Sequence, residues 1–449
     1  MNKKILALSF ILIASLVSIR CGDQLDLEPN NSIDANNALK TSADVEALMV
    51  GAYDALSDID VYGGNIQMDA ELMGDNGELF WDGTFVSPGE IWTKSMLINN
   101  DQAEATWLDS YETINICNNV LANLDLVTED RRDRIEGEAR FIRGTVYFEL
   151  VRSYARTWTD GTPASNPGVP IVTEPTTTEN AMAKVSRSSV AEVYDLVIDD
   201  LTSAETLLPE ENGFFATTYA ASAILSRVYL MQNNYADAAE AANRVIESGI
   251  YGLTNRYADA FNKGSQEGGN ATIEDVFAIQ INSQDGVNDM NTYFASSDYG
   301  GRGDIYIELA HFELYEPNDD RLNLFYDDER TGKWNNQFGN VNIVRLAEMY
   351  LTRAEANFRE GTNLGDTPLN DINLIRERVN LDPLVVLTLD DILLERHLEL
   401  AFEGHLIHDI KRTQSNVGDL PFDAPELIFP IPLRELNINP DLGQNDAYL

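Results

Sequence analysis

Four histidines, two cysteines and 74 carboxylate side chains are the groups through which this 449-residue chain could run acid–base, nucleophilic or metal chemistry. Glu395, Glu399 and Glu403 recur at helical spacing, and a pair of carboxylates is what glycoside hydrolysis requires. With so many acids, any spacing can be found, so their presence carries no information about catalysis. Glu399 and Glu403 read instead as hydrogen-bonded partners of Arg376, Arg378 or Arg412, because structural ion pairs are common. His405, His408 and Asp409 are metal-ligating types close together, but no HExxH pattern accompanies them and no metal is expected. Asp319-Asp320 and Asp327-Asp328 offer hard oxygens, yet no calcium is expected there either. Gly300-Gly-Arg-Gly303 lacks the strand-to-helix context of a phosphate cradle, and neither a Walker A sequence nor GxSxG occurs. Cys117 lies in the helical pattern Tyr111–Leu121 and reads as a small buried apolar residue. The chain therefore offers no catalytic residue and calls for no cofactor; the expectation is a protein that is not an enzyme.

Aromatic residues in glycine-rich stretches are a different resource. Residues 59–106 contain Gly63, Gly64, Gly74, Gly77, Gly83 and Gly89 together with Trp81 and Trp92. Residues 251–343 contain Gly252, Gly264, Gly268, Gly269, Gly300, Gly301, Gly303, Gly332 and Gly339 among their glycines, with Tyr293, Tyr299, Tyr306 and Trp334. Long irregular segments are uncommon unless functional, and binding residues tend to sit on loops held by a rigid scaffold. Trp107 and Trp158 sit beside helical patterns and read as packing.

The scaffold is helical. Thr41-Ser-Ala-Asp44 has the form of an N-cap, and Val45, Leu48, Met49, Ala52 and Leu56 follow at helix spacing. Ala139, Ile142, Val146 and Leu150 form a second stripe, and Val190, Val193, Val197 and Leu201 a third that stops near Pro209. Thr217–Met231 and Tyr235–Ser248 form a helix pair around Gln-Asn-Asn. Tyr229, Ala238 and Ala242 occupy positions like those of a tetratricopeptide unit. Leu346–Arg359 and Pro368–Val379 suggest a further pair. The fold class is all-α dominated, with tetratricopeptide-like helix pairs forming a scaffold and long irregular insertions carrying the ligand site.

Lys3 and Lys4 precede an apolar run, Ile5–Val17, that is too short to span a membrane and reads as a secretory signal. Cys21 follows closely, so residues 1–20 are expected to be a lipoprotein signal, Cys21 the lipidated residue, and 21–40 a polar tether leading to a single helical domain, 41–449. A multiply acylated cysteine supplies the chains that stable anchoring needs. Arg20 stands where a small residue is usual before such a cysteine, which bears on the point of cleavage. With Cys21 lipidated, Cys117 has no partner for an intramolecular disulfide. The net charge of −43 repels nucleic acid and anionic membrane faces, so no nucleic-acid partner is expected.

Several segments resemble the SusD/RagB family of nutrient-binding lipoproteins. They are Cys21-Gly-Asp-Gln-Leu-Asp-Leu-Glu-Pro29, Gly137–Arg143, Asp199–Glu205, Val344–Ala356, Leu369–Arg378, Glu395–Gly404 with His408–Arg412, and Phe429-Pro-Ile-Pro432 with Gln444-Asn445. The resemblance runs in order from Cys21 to Gln444. It implies an outer-membrane protein facing the cell exterior. Such a protein captures an oligosaccharide or polysaccharide and closes as a lid on a SusC-like TonB-dependent transporter, with ligand held on aromatics from the two loop-rich regions. The chemistry suits that reading. Sugar rings present slightly positive C–H faces, and indole and phenol faces are flat and negative. Expected platforms are Trp81, Trp92, Trp334, Tyr293, Tyr299 and Tyr306; expected polar readers are Asn76, Asp82 and Arg302. The acidic chain favours a neutral glycan such as a β-glucan. Two alternatives stand beside this reading: a RagB-like peptide-capturing lid, and a surface glycoside hydrolase.

Overall fold

Helix α1 (Ser42–Leu56) begins at a reciprocal capping box. The Asp44 N–H donates to Thr41 Oγ1 at 3.3 Å, and the Thr41 N–H donates back to the Asp44 carboxylate at 2.9 Å. Its buried residues, Val45, Met49, Ala52 and Leu56, form one stripe. The computed structural model describes residues 39–177, 184–263, 272–281, 283–284 and 286–449. The signal segment 1–20, Cys21 and all but the last two residues of the expected tether lie outside the described residues. The described structure falls almost wholly in one unit, Thr41–Pro175 with Lys184–Leu449.

Helix dominates that unit. In chain order come α2 (Asn65–Gly74), α3 (Val86–Trp92), α4 (Asp101–Ala122), α5 (Glu129–Tyr154), α6 (Val190–Leu207), α7 (Thr218–Met231) and α8 (Tyr235–Glu247). The short α9 (Asp289–Phe294) and α10 (Leu309–Phe312) precede α11 (Leu346–Glu360), α12 (Pro368–Arg378), α13 (Leu389–Glu399), α14 (Leu406–Thr413) and α15 (Leu433–Ile438). Consecutive helices pack pairwise from α4 to α8, and α8 then packs on α11, which carries α12 and α13. Ala238, Ala239 and Ala356 make the α8–α11 contact, where small side chains let the axes approach. The loop-rich segment 251–343 therefore leaves the stack after α8 and re-enters it one helix along. Among the described residues no helix is long and apolar enough to cross a membrane.

The segments that carry the family resemblance meet one another in the interior. Arg143 on α5 grips Asp200 on α6 with two hydrogen bonds, 2.7 and 2.8 Å. A second cluster centres on Arg345, which bonds Glu274 at 2.7 Å, Glu399 at 2.6 Å and Glu403 at 2.8 Å. Arg378 joins Glu274 and Glu399, and Lys333 joins Glu403 at 2.6 Å. Arg378 is thus a partner of Glu399 as expected. The other expected pairings are corrected: Arg376 binds Glu395 and Glu316, Arg412 binds Glu355 and Asp409, and Arg345 takes the central place. Burying so many charges costs desolvation unless each is paired and hydrogen-bonded, so this cluster fixes how α11, α12 and α13 fit together more than it adds stability.

Among the described residues, strand is confined to three two-stranded antiparallel ladders: β1 (Leu79–Trp81) with β3 (Ile305–Ile307), β2 (Asp275–Ile279) with β6 (Val341–Arg345), and β4 (Phe325–Tyr326) with β5 (Arg330–Thr331). Asp327 and Asp328 take left-handed conformations in the turn between β4 and β5. The β1–β3 ladder joins the two loop-rich regions.

Candidate functional site

Strand alternation decides which aromatic side chains reach solvent at β1–β3. Leu79 and Trp81 point inward, and Phe80, 41% exposed, points out. Its cross-strand partner is Tyr306, flanked by buried Ile305 and Ile307. Trp92, at the end of α3, meets Phe80 edge to face with ring centroids 5.3 Å apart. The three rings form an outward aromatic face drawn from both insertions.

The groups behind this face hold it in place. Asp75 accepts from Trp92 Nε1 at 3.0 Å and from the backbone N–H groups of Gly77, Glu78 and Leu79 at 2.8–3.0 Å, so one carboxylate orients the indole and the approach to β1. Arg330 lies over the Tyr306 ring at 3.8 Å and donates to the carbonyls of Gly303 and Ile305. Beside the ladder, Arg302 donates to Asp304 at 2.8 Å and to Thr84, and its guanidinium covers Phe85 at 4.4 Å. Asp82 is exposed, with its N–H donating to the Asp304 carbonyl. Tyr299, 43% exposed, stacks edge-on with Tyr326.

Three expected platforms are elsewhere. Trp81 is 7% exposed and packs against Tyr293, itself 6% exposed. A β-carbon at Gly83 would overlap the Trp81 indole, and one at Gly89 would lie 3.3 Å from its Nε1. Those glycines exist to let the backbone close over the ring, and do not frame an opening. Trp334 is 2% exposed and donates Nε1–H to the Phe402 carbonyl at 3.1 Å. The expectation that Trp81, Trp334 and Tyr293 offer a ring face to a ligand is corrected: protein atoms cover those faces. Phe80, Phe85 and Asp75 were not singled out from the sequence. A strand of three residues is too short to announce its own alternation, and Asp75 was one acid among many.

Asn76 turns away from the aromatic face. It accepts from the Gly418 N–H at 2.8 Å and lines a polar cleft of about 250 Å³ with Glu71, Glu78, Arg396, His397 and Asp409. Burial pushes the Glu71 carboxyl up to about 7, although it accepts N–H donors from Phe402, Gly404, His405 and Leu406. Burial also opposes ionisation of Glu78, but His311 and His397 outweigh it and hold that carboxyl well below the usual range. His405 and His408 are buried, and burial drives both well below the ordinary histidine value. Asp409 is engaged by Arg396 and Arg412.

Residues 23–230 match the SusD-like family described as starch-binding and associating with the outer membrane, and residues 320–420 match the SusD family. A SusD-like protein of Formosa agariphila is 24% identical across 98% of both chains. The starch-binding protein SusD of Bacteroides thetaiotaomicron is 34% identical over 122 residues, covering 24% of this chain and 21% of that one. A crystal structure from Bacteroides vulgatus, described as a candidate sugar-binding protein, superposes with a TM-score of 0.81 at 27% identity, covering 92% of this chain and all of that one. A SusD superfamily protein from the same organism superposes at 0.82 with 24% identity and the same coverage. Ordered motifs, the helical scaffold and these likenesses agree: the chain belongs to the SusD/RagB family.

Proposed function

We propose that this protein is a lipid-anchored, outward-facing outer-membrane protein. In this reading it binds a neutral oligosaccharide or polysaccharide, such as a β-glucan, without turnover and delivers it to a SusC-like TonB-dependent transporter. The observation that carries the binding step is the outward face of Phe80, Trp92 and Tyr306, assembled by β1–β3 from the two insertions. Flat rings held rigid by Asp75 and Arg330 suit the C–H face of a sugar, because little ordering entropy is left to lose on binding. Asp82 and Arg302 stand at its edge as polar readers, with Tyr299 further along the same loop. Arg302 is paired with Asp304, so the site carries no free cation there to attract an anionic polymer. The family description and the name of the Bacteroides thetaiotaomicron relative point the same way. In this reading Cys21 carries the lipid anchor.

Affinity electrophoresis of the mature chain against neutral and anionic polysaccharides tests this reading. Retardation by a neutral glycan, with no sugar released and with loss in Phe80→Ala and Trp92→Ala, is the expected result. Retardation by none, with binding of peptides instead, overturns it in favour of peptide cargo; release of reducing ends overturns it in favour of hydrolysis.

A further inference from the structure

Two of the chain's four histidines converge on one carboxylate oxygen from separate parts of the sequence. Glu78 precedes β1, His311 lies on α10 just after β3, and His397 lies on α13. Glu78 Oε2 is 2.6 Å from His311 Nδ1 and 2.8 Å from His397 Nε2. One ligand atom from each residue lies within 4.8 Å of the others. We propose that Glu78, His311 and His397 bind a divalent transition-metal ion of the zinc type, leaving a coordination position open to the polar cleft. This inference does not depend on the glycan reading.

The donor set carries the argument. Two imidazoles and a carboxylate select first-row transition metals over magnesium and calcium, which prefer all-oxygen surroundings. Three protein ligands leave a fourth position for water or a ligand atom, as in open zinc sites. Ligand atoms about 2.0–2.2 Å from a tetrahedral ion stand roughly 3.4 Å apart, so entry of the ion needs Glu78 to withdraw by about half to one ångström from each nitrogen. Glu78 is only partly buried and borders the cleft, so it has room to do so. The imidazole of His311 is held on its other side. Its Nε2 is 3.0 Å from the Tyr315 hydroxyl, and the rings of Phe312, Tyr315, Phe325 and Phe402 surround it. With the ion bound, His311 is the neutral tautomer that carries its single ring proton on Nε2, which donates to the Tyr315 oxygen and leaves the Nδ1 lone pair for the metal. A ligand imidazole is ordinarily oriented by such an outer partner. Glu78 and His397 line the cleft, which gives the ion a route in and the open position a place to face. Asp58, Asp60 and Asp109 also converge, but they offer no nitrogen donor and carry no such argument.

Cobalt(II) is the probe, because tetrahedral coordination with nitrogen donors gives visible absorption that scattered surface carboxylates do not. The mature chain is titrated with cobalt in excess magnesium and calcium, and zinc is then added. The expected result is a visible band saturating at one equivalent, displaced by zinc, with zinc raising the melting temperature. Zinc affinity falls at least about tenfold in His397→Gln and in Glu78→Gln, and is unchanged in Asp58→Asn. His397 is the preferred nitrogen to alter, because His311 is fully buried and its replacement can unfold the ring cluster around it. Absence of the band, its loss in magnesium and calcium, or an undiminished band in both folded variants overturns the proposal.

Discussion

Phe80 and Tyr306 are direct cross-strand partners that stand side by side on one face of the β1–β3 ladder, one contributed by each loop-rich insertion, and Trp92 closes edge-on against Phe80. Their shared outward face exists only because β1 and β3 pair in this register. A one-residue slip of β1 would bury Phe80 and expose Trp81, and the same slip of β3 would turn Tyr306 inward.

Phe80→Ala and Trp92→Ala each weaken glycan binding by about tenfold, the equivalent of roughly 1.4 kcal/mol for one lost aromatic contact. Phe80→Ala leaves the melting temperature close to that of the parent, whereas Trp92→Ala lowers it somewhat, because it also removes core packing and the indole donor to Asp75. Trp334→Ala behaves oppositely. It empties a buried indole site, leaves the Phe402 carbonyl without its donor and costs about 3–5 kcal/mol of stability. Calorimetric titration and thermal melts of the three variants check the contrast.

Arg345→Met strands Glu274, Glu399 and Glu403 in the interior with their central cation removed. Breaking a buried ion cluster from one side costs about 3–5 kcal/mol. The urea midpoint should fall by the corresponding amount with the slope of the transition unchanged. A midpoint within error of the parent would show that the cluster is not needed for stability.

Stability near neutral pH should depend on Glu71. Burial raises its folded value from the ordinary 4.5 to about 7. A raised value means that the folded protein binds the proton more tightly than the unfolded chain. The stabilisation is therefore complete below the ordinary value and is lost as pH rises through about 7. Its ceiling is about 3 kcal/mol. Melting temperatures of parent and Glu71→Gln at pH 5 and pH 8 measure it. The parent loses more between the two than the variant does, and equal losses in both would refute the assignment.

Cys117 should be inert in the folded chain. It is fully buried, and burial pushes its thiol up to about 12. In a Cys21→Ser variant, where Cys117 is the only thiol, a disulfide reagent reacts only after denaturant is added. Rapid labelling of the native protein would contradict the buried placement.

The sequence by itself determined the helical scaffold and the family. Helix periodicity is local, so the stripe Val45, Met49, Ala52, Leu56 and the cap at Thr41 could be read from neighbouring residues. The motif residues proved to be the ones that neutralise one another in the interior, as Arg143 does with Asp200 and Arg345 with Glu399 and Glu403. Such residues are legible because burying a charge demands a fixed partner. The proposed binding face was only half legible. The two insertions and Trp92 could be named from composition, but residue identity favoured Trp81 over its neighbour Phe80. Only pairing with β3 decides which of two adjacent side chains points to solvent. The Glu78, His311 and His397 cluster was not legible at all. Its members come from three distant segments, while the eye is drawn to His405, His408 and Asp409, which are close in sequence. The tertiary structure decided these matters, because a ligand set or a binding face depends on distances through space that spacing along the chain does not encode.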